Sequence, residues 1–195
     1  MKSIAVYCGS SLGQESAHRE AARALGQTMA ERRIDLIYGG GSVGLMGTIA
    51  DAVLSNGGNA IGVIPRFLDE HELGHQRLTK LIVVETMHER KQKMIDLADG
   101  FIAMPGGFGT LEELGEVLAW SQLGLHSGPC GVLNVKGYYD GLLACSDRMC
   151  SDGLLRQEDR DRFLDDSTPE GLLEKMHRWE PPAELKWEHI KREHL

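Results

Sequence analysis

Short runs of aliphatic and β-branched residues alternate along this chain with longer stretches in which apolar positions recur every three to four residues. The runs at 4–8, 34–38, 60–64, 81–85, 101–104 and 130–135 read as strands, apolar throughout as parallel strands covered on both faces are. Helical periodicity occupies 15–33, 44–55, 87–98, 110–123, 138–150 and 168–179, and Asn56-Gly57-Gly58-Asn59 stops the second of these helices. Residues 65–80 are polar and lie between two strands. The alternation predicts an α/β protein with a central parallel sheet flanked by helices. Right-handed crossovers bring the C-terminal ends of such strands to one edge, and ligands bind in the crevice beyond them. The loops at 39–44, 86–90 and 105–110 are therefore expected to open together.

Composition narrows the function classes. The 195 residues fit one domain over 1–180, followed by a polar tail at 181–195 that runs from Pro181-Pro182 to Lys191-Arg192-Glu193-His194. With 21 Lys+Arg against 29 Asp+Glu the net charge is −8, so no long-range attraction draws the chain to nucleic acid or to an anionic membrane. A phosphorylated ligand must be held by local geometry. Glycine, at 24 residues, is in excess while proline, at 6, is not, which assigns the glycines to shaped loops. No apolar run approaches the ~20 residues of a membrane span, and the start is too short for a signal peptide, so a cytoplasmic protein is expected. Cys8, Cys130, Cys145 and Cys150 include no Cys-x-x-Cys pair and read as reduced thiols.

Two glycine-rich loops stand at strand-to-helix turns. Gly39-Gly40-Gly41-Ser42-Val43-Gly44 satisfies Gly-x-Gly-x-x-Gly, yet it follows the second strand, and the next strand ends in Pro65-Arg66 rather than in the acid a dinucleotide ribose requires. It is either a phosphate-approaching loop around Gly40 and Gly41 or a turn that lets helix and strand pack closely. Pro105-Gly106-Gly107-Phe108-Gly109-Thr110-Leu111-Glu112-Glu113 is the stronger feature. Its glycines let backbone approach a ligand, and the first amides of the following helix, at the positive end of its dipole, form an anion cradle without lysine. The competing reading makes Thr110 an N-cap and Glu113 its capping-box partner. A carboxylate ~5 Å from a bound anion costs roughly 3 kcal/mol at an effective dielectric of ~20, so a cation is expected nearby. Arg90, in Met87-His88-Glu89-Arg90-Lys91, is the candidate, against the alternative of a solvated surface pair.

His71-Glu72-Leu73-Gly74-His75 matches the zinc-protease pattern His-Glu-x-x-His, but Gly74 within it and the strand close behind leave little room for the helix that chemistry needs. No metal is expected. His18, His126, His177, His189 and His194 are scattered, and His88 alone lies beside the expected site.

Tyr38 to Gly47, Met87 to Lys91 and Pro105 to Glu113, taken jointly and in order over roughly residues 3–178, resemble the Lonely Guy (LOG) family of cytokinin riboside 5′-monophosphate phosphoribohydrolases, often labelled lysine decarboxylases. The resemblance implies a Rossmann-like three-layer fold, a homodimer or larger homo-oligomer, no cofactor, and hydrolysis of N6-substituted adenosine monophosphates to free base and ribose 5-phosphate. It implies Arg90 and Glu113 as the catalytic pair, with substrate contacts from Glu72, Lys91, Gly40, Gly41 and the run Gly107, Phe108, Gly109, Thr110, Leu111 and Glu112. A family contact that is Thr in many plant members falls on Ala119. Glu113 would steady the positive charge that develops on the ribose, and Arg90 would either steady Glu113 or touch substrate. The rival from another class is a non-catalytic carrier of the molybdenum-cofactor type, which needs no carboxylate beside a sugar. A pyridoxal-dependent decarboxylase is disfavoured because Lys91, Lys93 and Lys136 sit in no recognisable cofactor context.

Overall fold

The computed structural model describes residues 1–70 and 74–181. Seven parallel strands form one sheet in the order β4-β3-β2-β1-β5-β6-β7, with β1 at Ser3–Tyr7, β2 at Asp35–Tyr38, β3 at Ala60–Pro65, β4 at Lys80–Val84, β5 at Gly100–Ala103, β6 at Cys130–Leu133 and β7 at Phe163–Asp166. The helices are α1 (Ser16–Glu31), α2 (Gly44–Ser55), α3 (Arg66–Asp69), α4 (Met87–Leu97), α5 (Phe108–Leu123), α6 (Asp140–Ser151), α7 (Gln157–Arg160) and α8 (Pro169–Arg178).

Side-chain alternation along β1 builds the layers. Ile4 and Val6 point to one face, where Leu25 and Met29 of α1, Ile49 and Val53 of α2, and Leu172 and Met176 of α8 cover them. Ala5 and Tyr7 point to the other, against Met94 of α4, Leu114 and Val117 of α5, and Tyr139 at the start of α6. Both faces are sealed over β1, β2, β3, β5 and β6, which explains why those strands read as continuous apolar runs. This is the Rossmann-like α/β arrangement that the patterning predicts.

Seven strands form where six were expected. The sequence of β7, Phe-Leu-Asp-Asp, shows no apolar run: it is an edge strand, half-covered beyond Phe163, that tolerates two aspartates, and it pairs with β6 from Cys130–Phe163 through Leu133–Asp166. The polar stretch between β3 and β4 holds the one-turn α3. The expected strand at 130–135 stops at Leu133, because Val135–Gly137 turn into a single 3₁₀ turn before α6. Most of the expected tail, from residue 182 onward, lies outside the described residues.

Strand order reverses between β1 and β5: from β1 the chain builds outward through β2, β3 and β4, then returns to place β5 on the other side of β1. The loops leaving these two neighbours consequently part, and a crevice opens at the sheet edge above them. A hydrogen bond from the Gly9 amide to the Pro105 carbonyl, 3.1 Å, ties the two loops at its floor.

Candidate active site

Three loops fix the crevice, each by a different device. After β2, Gly40 and Gly44 adopt left-handed φ of 75° and 65°, and at Gly44 a Cβ would stand 2.2 Å from the Ser10 carbonyl carbon, so the second loop lies directly against the first. After β4, Thr86 caps α4 by accepting from the Glu89 amide at 3.1 Å, while the Glu89 carboxylate accepts from the Glu85 amide at 2.9 Å. After β5, α5 begins at Phe108 with Gly107 as its N-cap and no side chain capping it.

The capping-box reading of Thr110 and Glu113 is thereby excluded. No capping box forms there, because the helix starts two residues earlier than expected; Thr110 and Glu113 are both buried inside α5. The capping residues belong instead to α4. The first amides of α5, at Phe108, Gly109 and Thr110, precede the first in-helix bond, from the Leu111 amide to the Gly107 carbonyl at 3.2 Å. They stand at the positive end of the helix with no intrahelical acceptor.

A cleft of about 520 Å³ joins the three loops to Cys8, Gly9 and Ser10 after β1. Gly39, Gly41 and Val43 enter from the second loop, Met87 and Arg90 from α4, and Gly107 to Thr110 with Glu112 and Glu113 from α5. Arg90 Nη2 lies 3.4 Å from Glu113 Oε1, and each side chain is only 11% exposed. Arg90 packs so closely on Gly39 that a Cβ there would fall 2.1 Å from Nη2. Among the described residues its Nε is buried without a hydrogen-bond partner and its Nη1 reaches only the Met87 sulfur, at 3.7 Å. This guanidinium therefore has donors in reserve.

Glu113 is pushed up from the ordinary carboxylate range to about 7, foremost by burial; Arg90 opposes the rise, Glu112 adds to it, Lys91 opposes it and Glu116 adds to it. Burial also drives the Tyr7 hydroxyl well above its usual value, with the Glu113 charge as the next cause. Lys91 does not line the cleft. It is buried between Glu112 and Glu116, the latter at 3.0 Å, and although burial pulls its pKa down, hydrogen bonds to those carboxylates outweigh that and raise it.

The expected site residues thus divide. Arg90, Glu113, Gly41, Gly107, Phe108, Gly109, Thr110 and Glu112 meet at one cleft. Gly40 is set against Ile64 and Leu81 rather than into it, Leu111 and Lys91 are outside its lining, and Glu72 lies outside the described residues. His88 is exposed and also outside the lining, and Ala119 sits on the exposed face of α5. The Cys8–Ser10 loop and the apolar wall of Val43, Met46, Ile64 and Leu68 are additions. Knowing that order reverses at β1 would have pointed to the first; no local motif marks the second.

Other hollows hold different chemistry. One of about 600 Å³ is lined by Ser42, Asp51, His75 and Arg77. The His75 ring there faces Asp51 Oδ1 at 3.1 Å through Nε2 and accepts from the Arg77 amide at 3.2 Å through Nδ1, while Gly74 forms a bridge with Gly41. Residues 74 and 75 thus run alongside the Gly39–Gly41 loop, not along a helix presenting His75 to a metal. Among the described residues, no group of three or more His, Cys, Asp or Glu side chains is arranged to hold a metal ion, and no helix is long and apolar enough to cross a membrane.

Residues 46–176 match the family described as "Possible lysine decarboxylase". The chain is 45% identical over 190 residues to the probable cytokinin riboside 5′-monophosphate phosphoribohydrolase LOGL2 of Oryza sativa subsp. japonica, covering 95% of this chain and 78% of that one. It is 43% identical over 192 residues to the cytokinin riboside 5′-monophosphate phosphoribohydrolase LOG5 of Arabidopsis thaliana, covering 96% and 84%. Among solved structures, the molybdenum cofactor binding protein of Rippkaea orientalis superposes with a TM-score of 0.69 at 21% identity, covering 91% of this chain and 96% of that one. The molybdenum cofactor carrier protein of Chlamydomonas reinhardtii does so with 0.65 at 17%, covering 90% and 96%. At these identities the structural likeness concerns the fold.

Two consequences of the geometry are measurable. Because folding raises the Glu113 pKa from 4.5 to about 7, the buried carboxylate costs stability above pH 7, and that cost vanishes below pH 4.5. Glu113→Gln is expected to raise the melting temperature at pH 8, by up to about 3 kcal/mol in stability, and to leave it unchanged at pH 4; equal melting at pH 8 would refute the burial argument. Gly39→Ala is expected to displace Arg90 and, with one opposing charge removed from Glu113, to move any titration of that carboxyl to higher pH. Carbonyl-edited NMR of the Glu113 side chain reads it directly.

Proposed function

The chain belongs to the Lonely Guy family of phosphoribohydrolases, and we propose that it hydrolyses the N-glycosidic bond of adenosine 5′-monophosphates, plain or N6-substituted, to free base and ribose 5-phosphate. The observation that carries this reading is the buried Arg90–Glu113 pair facing an uncapped, glycine-led helix start across one cleft. A phosphate needs the latter, and a developing ribosyl cation needs the former.

In the reaction, the C1′–N9 bond breaks as its electron pair leaves with the purine, and positive charge grows on the ribose ring. Glu113, as carboxylate, stabilises that charge and accepts a proton from the attacking water, whose oxygen bonds to C1′. Net, the elements of water are divided between the ribose and the base. A carboxyl poised near 7 suits both holding a negative charge and taking a proton at neutral pH. Arg90 favours the ionised form of Glu113, and its unused donors serve the ribose or phosphate. The amides of Gly109 and Thr110 bind the 5′-phosphate, so binding energy remote from the scissile bond becomes positioning. The apolar wall of Val43, Met46, Ile64 and Leu68 suits a base bearing an apolar N6 group.

The resemblance to molybdenum-cofactor proteins reaches no further than the fold, and the ionisable pair speaks against a passive carrier. Lys91, next to Arg90 in sequence, is committed to two carboxylates and is not poised as the free amine a Schiff base requires.

We further propose that the 1–180 domain works in the cytoplasm as a homodimer, with neither nucleic acid nor membrane as partner. Phe108, Leu111, Gly115, Ala119 and Leu123 form a continuous exposed stripe along α5, with Phe108 92% exposed, and a second copy is the partner that would cover it.

Incubation with AMP, N6-isopentenyl-AMP and their nucleosides, with the released base quantified, tests the activity. Cleavage of monophosphates but not of nucleosides is expected, with kcat/KM falling about tenfold per pH unit below 7 as Glu113 protonates, and with Glu113→Gln losing at least about 100-fold in kcat. Near-normal turnover by Glu113→Gln would remove the assignment. For the assembly, light scattering of Leu123→Asp is expected to give a monomer where the unaltered chain gives a dimer; an unaltered chain that is already monomeric overturns the interface.

A further inference from the structure

The glycines that let a phosphate approach also leave the peptide planes of the loop loose, and something must fix which way the amides face. A Cβ at Gly107 would meet no atom within 4 Å, so side-chain packing does not hold this residue. The carbonyls preceding it are held instead. The Met104 carbonyl accepts from the Tyr139 hydroxyl at 2.6 Å, the Pro105 carbonyl from the Gly9 amide at 3.1 Å, and the Gly106 carbonyl from the Tyr138 hydroxyl at 2.5 Å.

The structure has no cis peptide bond among its described residues, and in a planar trans peptide the N–H points opposite to the carbonyl. Drawing the Gly106 carbonyl towards Tyr138 therefore turns the Gly107 N–H the other way. Gly107 lines the cleft and Tyr138 does not. The Tyr138 ring is itself fixed, edge-on to Tyr139 at 5.0 Å and to His18 at 5.6 Å, and its amide donates to the Val135 carbonyl at 3.1 Å. We propose that Tyr138 is a positioning residue: through the Gly106 carbonyl it aims the Gly107 amide into the cleft, adding a donor to those of the α5 start and setting how tightly the nucleotide's phosphate is held. This rests on the phosphoribohydrolase reading.

Its neighbour supplies the control. Tyr139 makes the same kind of bond, but the nitrogen of the peptide it holds belongs to Pro105, which has no hydrogen to aim. Tyr139 is 1% exposed, so loss of its hydroxyl leaves a buried carbonyl unsatisfied and lowers stability. Tyr138 is 47% exposed, so in Tyr138→Phe the Gly106 carbonyl can turn to water and the fold is kept. One bond affects phosphate affinity, the other stability.

Calorimetric titration of ribose 5-phosphate and adenosine into the full chain, with steady-state kinetics on AMP, separates the cases. Tyr138→Phe is expected to weaken ribose 5-phosphate by about fivefold, the equivalent of one ordinary hydrogen bond, to leave adenosine unchanged, and to raise KM for AMP with kcat within about twofold. Tyr139→Phe is expected to melt lower with the ratio of ribose 5-phosphate to adenosine affinity intact. Unchanged binding by Tyr138→Phe, or equal weakening of adenosine, overturns the inference while leaving the hydrolase reading standing. Failure of the unaltered chain to bind ribose 5-phosphate overturns both.

Discussion

Neighbouring parallel strands whose crossovers depart in opposite directions cannot both be roofed at their C-terminal ends, and the site depends on that constraint. Between β1 and β5 the chain leaves an opening, and every cleft residue reaches it from an element that this topology directs there. Burial on both faces of the sheet makes the floor rigid. Backbone hydrogen bonds, from Gly9 to Pro105 and from His75 to Gly40, stitch adjoining loops together above it.

On that floor the electrostatics are unusual for an acidic chain. A buried carboxylate lies there beside two sources of positive potential: the peptide dipoles of α5 and the Arg90 guanidinium. Lys91 contributes from outside by fastening α4 to α5 through Glu112 and Glu116, so that the adjacent positions, Arg90 and Glu113, stay face to face. Residues next to one another in sequence thus divide the work, one pair holding the helices together and the next meeting across the cleft.

Much of this is legible in the amino-acid sequence. The apolar runs mark six of the seven strands, and an acid beside a glycine-led helix start calls for a cation, which Arg90 supplies by meeting Glu113. What escaped did so for physical reasons. β7 is an edge strand whose aspartates mask it. The Thr-x-x-Glu spacing occurs both at Thr86 and at Thr110, and only packing decides that the first caps a helix while the second is buried within one. Tyr138 acts on the loop from 32 positions away through a single carbonyl, a contact no local spacing encodes. Lys91 braces α4 against α5 through Glu112 and Glu116, a pairing that no local spacing marks.

Gly39 has a further meaning for how such a sequence can drift. Its missing side chain is the space that the Arg90 head group fills, though the two lie 51 positions apart. A side chain at residue 39 and an arginine head group at this place are consequently alternatives: bulk added at one position is accommodated only by movement or shortening at the other, and the cation leaves the side of the acid in either case.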